Sequence, residues 1–323
     1  MIVVCGEVVL DLVREPDGAS FDSPIRYLAR PGGSPANTAV ALARLGSHAA
    51  LCARISRSNV GLLIRDHLVA NSIDLTYAIE ASEPATLAFV EIDVDGVATY
   101  SFYVEGTADW GWTSSELPSS LPDFATVLHA GSMAALAAPG RAAISQLLAR
   151  ERANRLVSLD LNVRPVVVTT AGDARRWIEG LVTSVHLVKA SLEDIALLYP
   201  GDAIDSVVSR WRSLGASVVI VTLGSAGSVG YLGDEMIMRP AVTVDVVDTV
   251  GAGDAFAGAL LHWLDEEKLT LQVSAGTLSC EALGSALEFA SLAAAISCTR
   301  VGADPPFSTE VADPPHGVVV RDP

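Results

Sequence analysis

The most chemically pointed stretch of this 323-residue chain is Asp248-Thr249-Val250-Gly251-Ala252-Gly253-Asp254, running on to Gly258. Gly251 and Gly253 carry no Cβ, so the backbone there can approach a ligand closely. The apolar run 255–264 that follows is rich in helix formers and is stopped by charges. A helix N-terminus behind the glycines would offer unpaired N–H groups and the positive end of a dipole, which together make an anion site. Asp254 sits at the mouth of that site, where a carboxylate repels a phosphate unless it has a role there. The role that fits is a base that takes a proton from a hydroxyl while the N–H groups steady a transferring phosphoryl group. Taken alone, Gly-x-Gly-Asp is more simply a helix start with an aspartate cap.

Other polar residues stand out against apolar surroundings. Asp11 interrupts the run 2–13, where it is either an edge-facing carboxylate or an acceptor for hydroxyls at a strand end. Asn37 opens a helix of small apolar residues between Pro35 and Gly46, after Gly32 and Gly33. Its amide could tie down the glycine loop, or donate to and accept from hydroxyls. Further on come Asp160, Asn162 and Arg164, then Lys189, Ser191 and Asp194, then Thr222, Gly224 and Gly227. Each group also has a plainer explanation. The first could be a turn with its own ion pair and Lys189 a surface charge, while Ser191 and Asp194 fit a capping box.

The elements that must position these residues are legible from patterning. A strand over 2–13 breaks at Gly6. Two β-rich runs, 86–93 and 97–104, flank Val94-Asp95-Gly96, a hairpin signal. With residues 14–30 they can form a small sheet standing off the main body. The stripe Tyr100, Phe102, Tyr103 is then either the core of that sheet or a wall facing a ligand, core being the plainer expectation. A helix is expected over 62–71. From residue 126 onward, expected strands at 126–131, 155–161, 184–189 and 217–223 alternate with helices at 139–152, 172–182, 192–199, 204–214, 253–266 and 284–298. The valine- and threonine-rich run 241–247 predicts a last strand leading into the Gly251 turn. Apolar strands alternating with helices make an α/β, mostly parallel sheet covered on both faces, whose ligands sit at the carboxyl ends of the strands. Those three polar groups and the Asp248–Asp254 stretch all fall at those ends. Residues 304–323 are proline-rich and read as an extended or partly disordered tail.

Net charge is −17, which argues against nucleic acid and anionic membranes as partners. No apolar run reaches the length of a membrane span, and the first residues lack the basic start of a signal peptide, so the cytoplasm is expected. Cys5, Cys52, Cys280 and Cys298 show no CxxC spacing and read as reduced core residues, with neither a zinc site nor disulfides. The first strand region lacks the Gly-x-Gly-x-x-Gly of a nicotinamide dehydrogenase.

The full string Asp248–Gly258 closely resembles the C-terminal signature of the PfkB (ribokinase-like) carbohydrate kinases, and Gly32-Gly33-x-x-x-Asn37 with its small-residue helix resembles the N-terminal one. The resemblance covers residues 2–303. It implies a ribokinase-like three-layer α/β fold, with a core of 1–13, 31–85 and 111–303 and a β lid of 14–30 and 86–110 that often joins two subunits. It makes Gly251, Ala252 and Gly253 an anion hole, Asp254 the base, and Asp11, Gly32, Gly33, Asn37 and Arg164 the sugar contacts. Asn162, Lys189, Ser191, Thr222, Gly224, Gly227 and Gly253 would serve ATP. Asp194 would reach magnesium through water, and Asp248 would help hold potassium together with the region of Ser297, Thr299 and Gly302. Two departures stand out. Ser191 and Asp194 replace the family's Asn and Glu, and Ser56-Arg57-Ser58-Asn59-Val60-Gly61 replaces Gly-x-Asp-x-x-Gly.

Gly6-Glu7-x-x-x-Asp11, Gly33-x-Pro35-Ala36-Asn37 and Thr86-x-Ala88-Phe89-Val90 most resemble the fructokinase branch, so the expected activity is ATP-dependent phosphorylation of a free hexose, fructose first. Ribose, 2-keto-3-deoxygluconate and nucleosides stay open as acceptors, as does a sugar sensor without turnover.

Overall fold

The computed structural model describes residues 1–15, 25–92, 98–167, 171–315 and 317–318. The expected hairpin turn at 94–96, residues 16–24 of the expected lid, and residues 316 and 319–323 of the expected tail lie outside them. The strands are β1 (Ile2–Cys5), β2 (Val9–Arg14), β3 (Tyr27–Gly32), β4 (Ala49–Cys52), β5 (Arg54–Ser56), β6 (Ile79–Ala81) and β7 (Thr86–Ile92). They continue with β8 (Ala98–Tyr103), β9 (Val127–Gly131), β10 (Leu156–Asp160), β11 (Leu187–Ser191), β12 (Val218–Thr222), β13 (Ser228–Leu232) and β14 (Glu235–Arg239).

Eight of them form one sheet in the order β14-β13-β12-β11-β10-β9-β1-β4. It is parallel from β4 to β12 and antiparallel at the β13–β14 edge. Side chains alternate between its two faces, as the strand period of two demands. Val3, Leu128, Leu159 and Val219 pack into a core under the helices Arg141–Glu151, Ala171–Val182 and Ile204–Ser213. Ile2, Leu51, Leu156 and Ile220 pack into a second core under Ser34–Leu45, Asn59–Ala70, Ala252–Glu266 and Cys280–Cys298. The result is the expected three-layer α/β body. Cys280–Cys298 is long and apolar enough to cross a membrane by composition, yet Leu283, Leu287, Ala290 and Ile296 are buried in the second core.

A separate four-stranded sheet, ordered β3-β2-β7-β8, stands apart from the body. Its register aligns Asp11 with Arg30 and with Ala88, and Ala88 with Phe102. Residues in register share a face, so Asp11, Arg30, Phe102 and, by alternation, Tyr100 lie on one side, and Tyr27, Phe89 and Tyr103 on the other.

Cys5 and Cys52 are buried as expected, but Cys280 is exposed at the start of its helix and Cys298 only partly buried, and three expectations about the path of the chain also need correction. The run 241–247 is not a strand. Pro240 has no N–H to extend the ladder beyond β14, and the chain leaves the sheet there, with Val246 and Val247 exposed. The Gly251 turn is therefore anchored by the end of the long helix, where the N–H groups of Val247 and Asp248 donate to the Cys298 carbonyl. Residues 304–315 are likewise not an extended tail. Ser308–Ala312 is helical and Val311 is buried, while Arg44 holds Asp304 and the Pro305 carbonyl and Arg300 holds Glu310. Proline content hid these anchors. Third, the strand placed at 184–189 runs from Leu187 to Ser191, so Lys189 and Ser191 lie within it.

The altered 56–61 segment does no local damage. Ser58 caps the helix Asn59–Ala70 by accepting the Gly61 N–H at 3.3 Å.

Candidate active site

Two helices assemble the centre of the site. Ser34–Leu45 starts with Pro35 in its first turn, so Ser34 and Asn37, three residues apart, share a face. Ala252–Glu266 crosses it at glycine range, since a Cβ on Gly258 would lie 2.6 Å from Ala41 Cβ. That crossing brings Asp254 between the two polar residues. Ser34 Oγ donates to Asp254 Oδ1 at 2.6 Å, and Asn37 Nδ2 donates to Oδ2 at 2.8 Å. Asp254 is buried, and burial raises its pKa above the ordinary carboxylate range. The Ser34 and Asn37 hydrogen bonds oppose the shift, the Asp160 charge adds to it, and Lys189 opposes it. Ser34 had no part in the sequence reading, although its spacing from Asn37 could have shown it.

The turn ahead of this helix is built around Gly251, which has φ +76° and whose Cβ would collide with Ala303 at 2.5 Å. The Ala252 N–H donates to the Thr249 carbonyl at 3.2 Å. The Gly253 N–H comes too early in the helix to have an i−4 carbonyl, so it is the better donor to an anion. Lys189 completes this end, for a Cβ on Gly253 would lie 3.6 Å from its Nζ.

Lys189, in the middle of β11, is the register partner of Asp160 at the end of β10, and the two form a buried ion pair of 2.6 Å. Asp160 Oδ1 is buried with no hydrogen-bond partner, an acceptor left open toward this edge of the sheet. Asn162 follows with φ +34°, in the region L-residues rarely adopt, a strain that recurs where residues serve a site. Thr222, in register with Ser191, stands at the end of β12, one strand further along the same edge. Its turn needs Gly227, whose φ is +105° and whose Cβ would meet the Arg239 carbonyl oxygen at 2.0 Å.

The small sheet faces this cluster. Asp11 is pushed up to about 7, first by burial and then by the charge of Asp254, with Arg164 opposing. Asp11, Arg164 and Asp254 are thus within electrostatic reach of one another. Gly32 lies against Asp11, since a Cβ there would sit 2.5 Å from Oδ2. Tyr100 is pushed up to about 12 by burial and then by the charge of Asp11, with Asp248 and Asp254 contributing. Tyr100 is 36% exposed on the Asp11 face, so it is not the core of the small sheet, and its ring stacks on Phe102 with centroids 5.7 Å apart.

The carboxylates expected to serve metal ions are already engaged by backbone N–H groups. Asp194 closes a capping box with Ser191, and its other oxygen accepts the Val163 N–H at 2.7 Å. Both oxygens of Asp248 also accept backbone N–H groups, from Val250 and Gly302. Among the described residues no group of three or more His, Cys, Asp or Glu side chains could hold a metal ion. A divalent ion would have to be held mainly by phosphate oxygens, with Asp160 and Asp194 reached through water.

Behind the site, Glu7 is buried in the turn between β1 and β2, and its Oε2 accepts the Ala134 N–H at 2.9 Å. Burial pushes it from 4.5 to about 7, only partly opposed by Ala134 and Ser132, and Asp109 adds to the rise. A raised carboxyl pKa contributes stability that is fully present below 4.5 and lost as pH rises through 7. The span corresponds to roughly 3 kcal/mol at most. Urea unfolding at pH 5 and pH 8.5 should show the wild type losing more stability than Glu7→Gln. Equal losses would mean that Glu7 does not ionise across this range.

With this geometry in hand, the comparisons with known proteins are specific. The pattern of the pfkB family carbohydrate kinases matches residues 1–310. A fructokinase of Rhizobium leguminosarum bv. trifolii is 34% identical over 283 residues, 88% of this chain and 85% of that protein. The crystal structure of a fructokinase with bound ATP from Xylella fastidiosa superposes with a TM-score of 0.87 at 26% identity, covering 96% of each chain. A double mutant of the Vibrio cholerae O395 fructokinase, in fructose, ADP and potassium ion bound form, superposes with a TM-score of 0.80 at 26% identity, covering 94% of this chain and 93% of that one. Both signatures, the three-layer body with its separate small sheet, and these matches along nearly the whole length place the chain in the pfkB family of carbohydrate kinases, as an ATP-dependent sugar kinase.

Proposed function

We propose that the chain transfers the γ-phosphoryl group of ATP to a primary hydroxyl of a free hexose, with fructose the first acceptor. The observation that carries this reading is the Asp254 carboxylate, held by Ser34 and Asn37 at the N-terminal end of its helix and opposed by Asp11 on the small sheet. An acceptor lying between Asp11, Gly32, Gly33, Asn37 and Arg164 would present its hydroxyl to Asp254. Asp254 takes the hydroxyl proton, and burial raises its pKa, which makes its carboxylate a stronger base than an exposed one. The Gly251–Gly253 turn and Lys189 hold the anionic end of the nucleotide, which passes over Thr222, Gly224 and Gly227 along the sheet edge. Magnesium, when bound with ATP, would neutralise phosphate charge as transfer proceeds. A potassium ion beside the Asp248 loop would stabilise the same turn.

Fructose is favoured by the fructokinases among the relatives, one of them with fructose, ADP and potassium bound. The small sheet acts as the lid that keeps water from the phosphoryl group. A homodimer would meet across its outer face, where Tyr27, Phe89 and Tyr103 form a string of edge-to-face rings.

The test is ADP release with Mg-ATP and potassium across ketoses, aldoses, keto-deoxy acids and nucleosides, with Asp254→Ala as the blank. Fructose should stand out. Preference for another acceptor would overturn the choice of sugar and keep the kinase, whereas ATP binding with no turnover on any acceptor would point to a sensor.

A further inference from the structure

Arg30 lies outside every motif discussed above, yet it is the side chain that joins the small sheet to the phosphate-binding end of the site. It projects from β3 in register with Asp11, and its Nη1 donates to the Val301 carbonyl at 2.5 Å. The guanidinium lies on the backbone of Gly302, where a Cβ would come within 2.6 Å of Nη1, and Gly302 has φ +78°. The Gly302 N–H donates to Asp248 Oδ2 at 2.7 Å, and Asp248 Oδ1 accepts the Val250 N–H at 3.0 Å. The next residue after Gly302, Ala303, is the one that fills the space beside Gly251. A contiguous chain of contacts thus runs from β3 through Val301–Ala303 and Asp248 to the Gly251 turn.

We infer that Arg30 is a positioning residue that ties the position of the small sheet to the shape of the Gly251–Gly253 turn. This rests on the kinase reading of the site. Asp11 and Arg30 are cross-strand neighbours, so a sugar that fixes Asp11 also fixes the guanidinium, and the guanidinium fixes 301–302 and through Asp248 the turn. If the small sheet moves away, Val301 loses its donor and the turn loses one of its supports. The catalytic machinery itself gains no new group, since Arg30 acts only through Gly302 and Asp248.

The test compares wild type, Arg30→Met and Arg30→Lys. Met keeps the length of the stem and removes the donors, while Lys restores a cation. Amide hydrogen exchange on the ligand-free protein reads the chain of contacts directly. Arg30→Met should exchange the Val250 and Gly302 amides about tenfold faster or more, as expected for loss of a charge-assisted hydrogen bond, with amides of β9 and β10 unchanged. Arg30→Lys should recover part of the protection. Affinity for β,γ-methylene-ATP should fall by a similar factor in Arg30→Met. Unchanged exchange at both amides, or equal acceleration throughout the body, would overturn the inference. Failure of the wild type to bind the nucleotide analogue would instead count against the kinase reading, because the exchange measurement needs no ligand.

Discussion

Asp254→Asn is expected to bind both substrates and to lower turnover on the order of 10³-fold or more, the upper range for removing a positioned general base. The substitution keeps size and shape, the Ser34 hydroxyl can still donate to the amide oxygen, and the new amide N–H can donate to Asn37 once that side chain turns its Oδ1 toward it, so loss of rate would report chemistry and not collapse. Two further signs distinguish a base from a spacer. Since burial raises the pKa of Asp254, with Asp160 adding to the shift, the acid limb of kcat/KM should lie above the ordinary carboxylate range in the wild type. Activity is then lost as pH falls through that raised value, because the base becomes protonated. Stability runs in the other direction. A buried carboxyl with a raised pKa contributes most below its unfolded value and loses that contribution as pH rises, so Asp254→Asn should be at least as stable as wild type at pH 8. Single-turnover kinetics and urea unfolding on the same preparations decide the matter. Turnover within tenfold of wild type would remove Asp254 from the base role.

The second large effect concerns Lys189→Met. Lys189 and Asp160 are both almost fully buried, and the pair shares a 2.6 Å contact. Removing one partner leaves an uncompensated charge in a dry place and typically costs about 3–5 kcal/mol. The double variant Lys189→Met with Asp160→Asn should recover most of the lost stability while remaining poor in turnover, since the cation beside Gly253 is gone. A single variant that loses less than about 1 kcal/mol would show that water reaches the pair.

Much of the site could be read from the residues, because the relevant chemistry was concentrated in short strings. Asp254 and Asn37 were picked out from glycine turns and Lys189 from a strand end placed two residues too early, and the structure brings Asn37 and Lys189 to either side of Asp254. Ser34 escaped notice because a serine in a glycine–proline turn has an ordinary explanation. Only the docking of a helix from the far end of the chain gives it a carboxylate to hold. Tyr100 was ambiguous because alternation along a strand says which residues share a face and not what that face meets. The failed strand at 241–247 teaches the complementary lesson. Valine and threonine fit a strand, but a strand needs a neighbour, and Pro240 ends the ladder before the run begins. The helix at 308–312 was missed for the opposite reason, because a few long-range contacts by Arg44 and Arg300 outweigh a composition that suggests disorder.

Asp254 is separated from its two hydrogen-bond donors by 220 and 217 residues of chain. During synthesis, the helix bearing Ser34 and Asn37 leaves the ribosome long before the helix that must cover it at Ala41. Until then its small-residue face has no partner, and the nascent chain has neither the carboxylate nor the Gly251 turn. The enzyme should therefore be inactive until nearly the whole polypeptide has been made. Products ending before residue 258 should be incompletely packed species that chaperones or proteases recognise, rather than slow kinases.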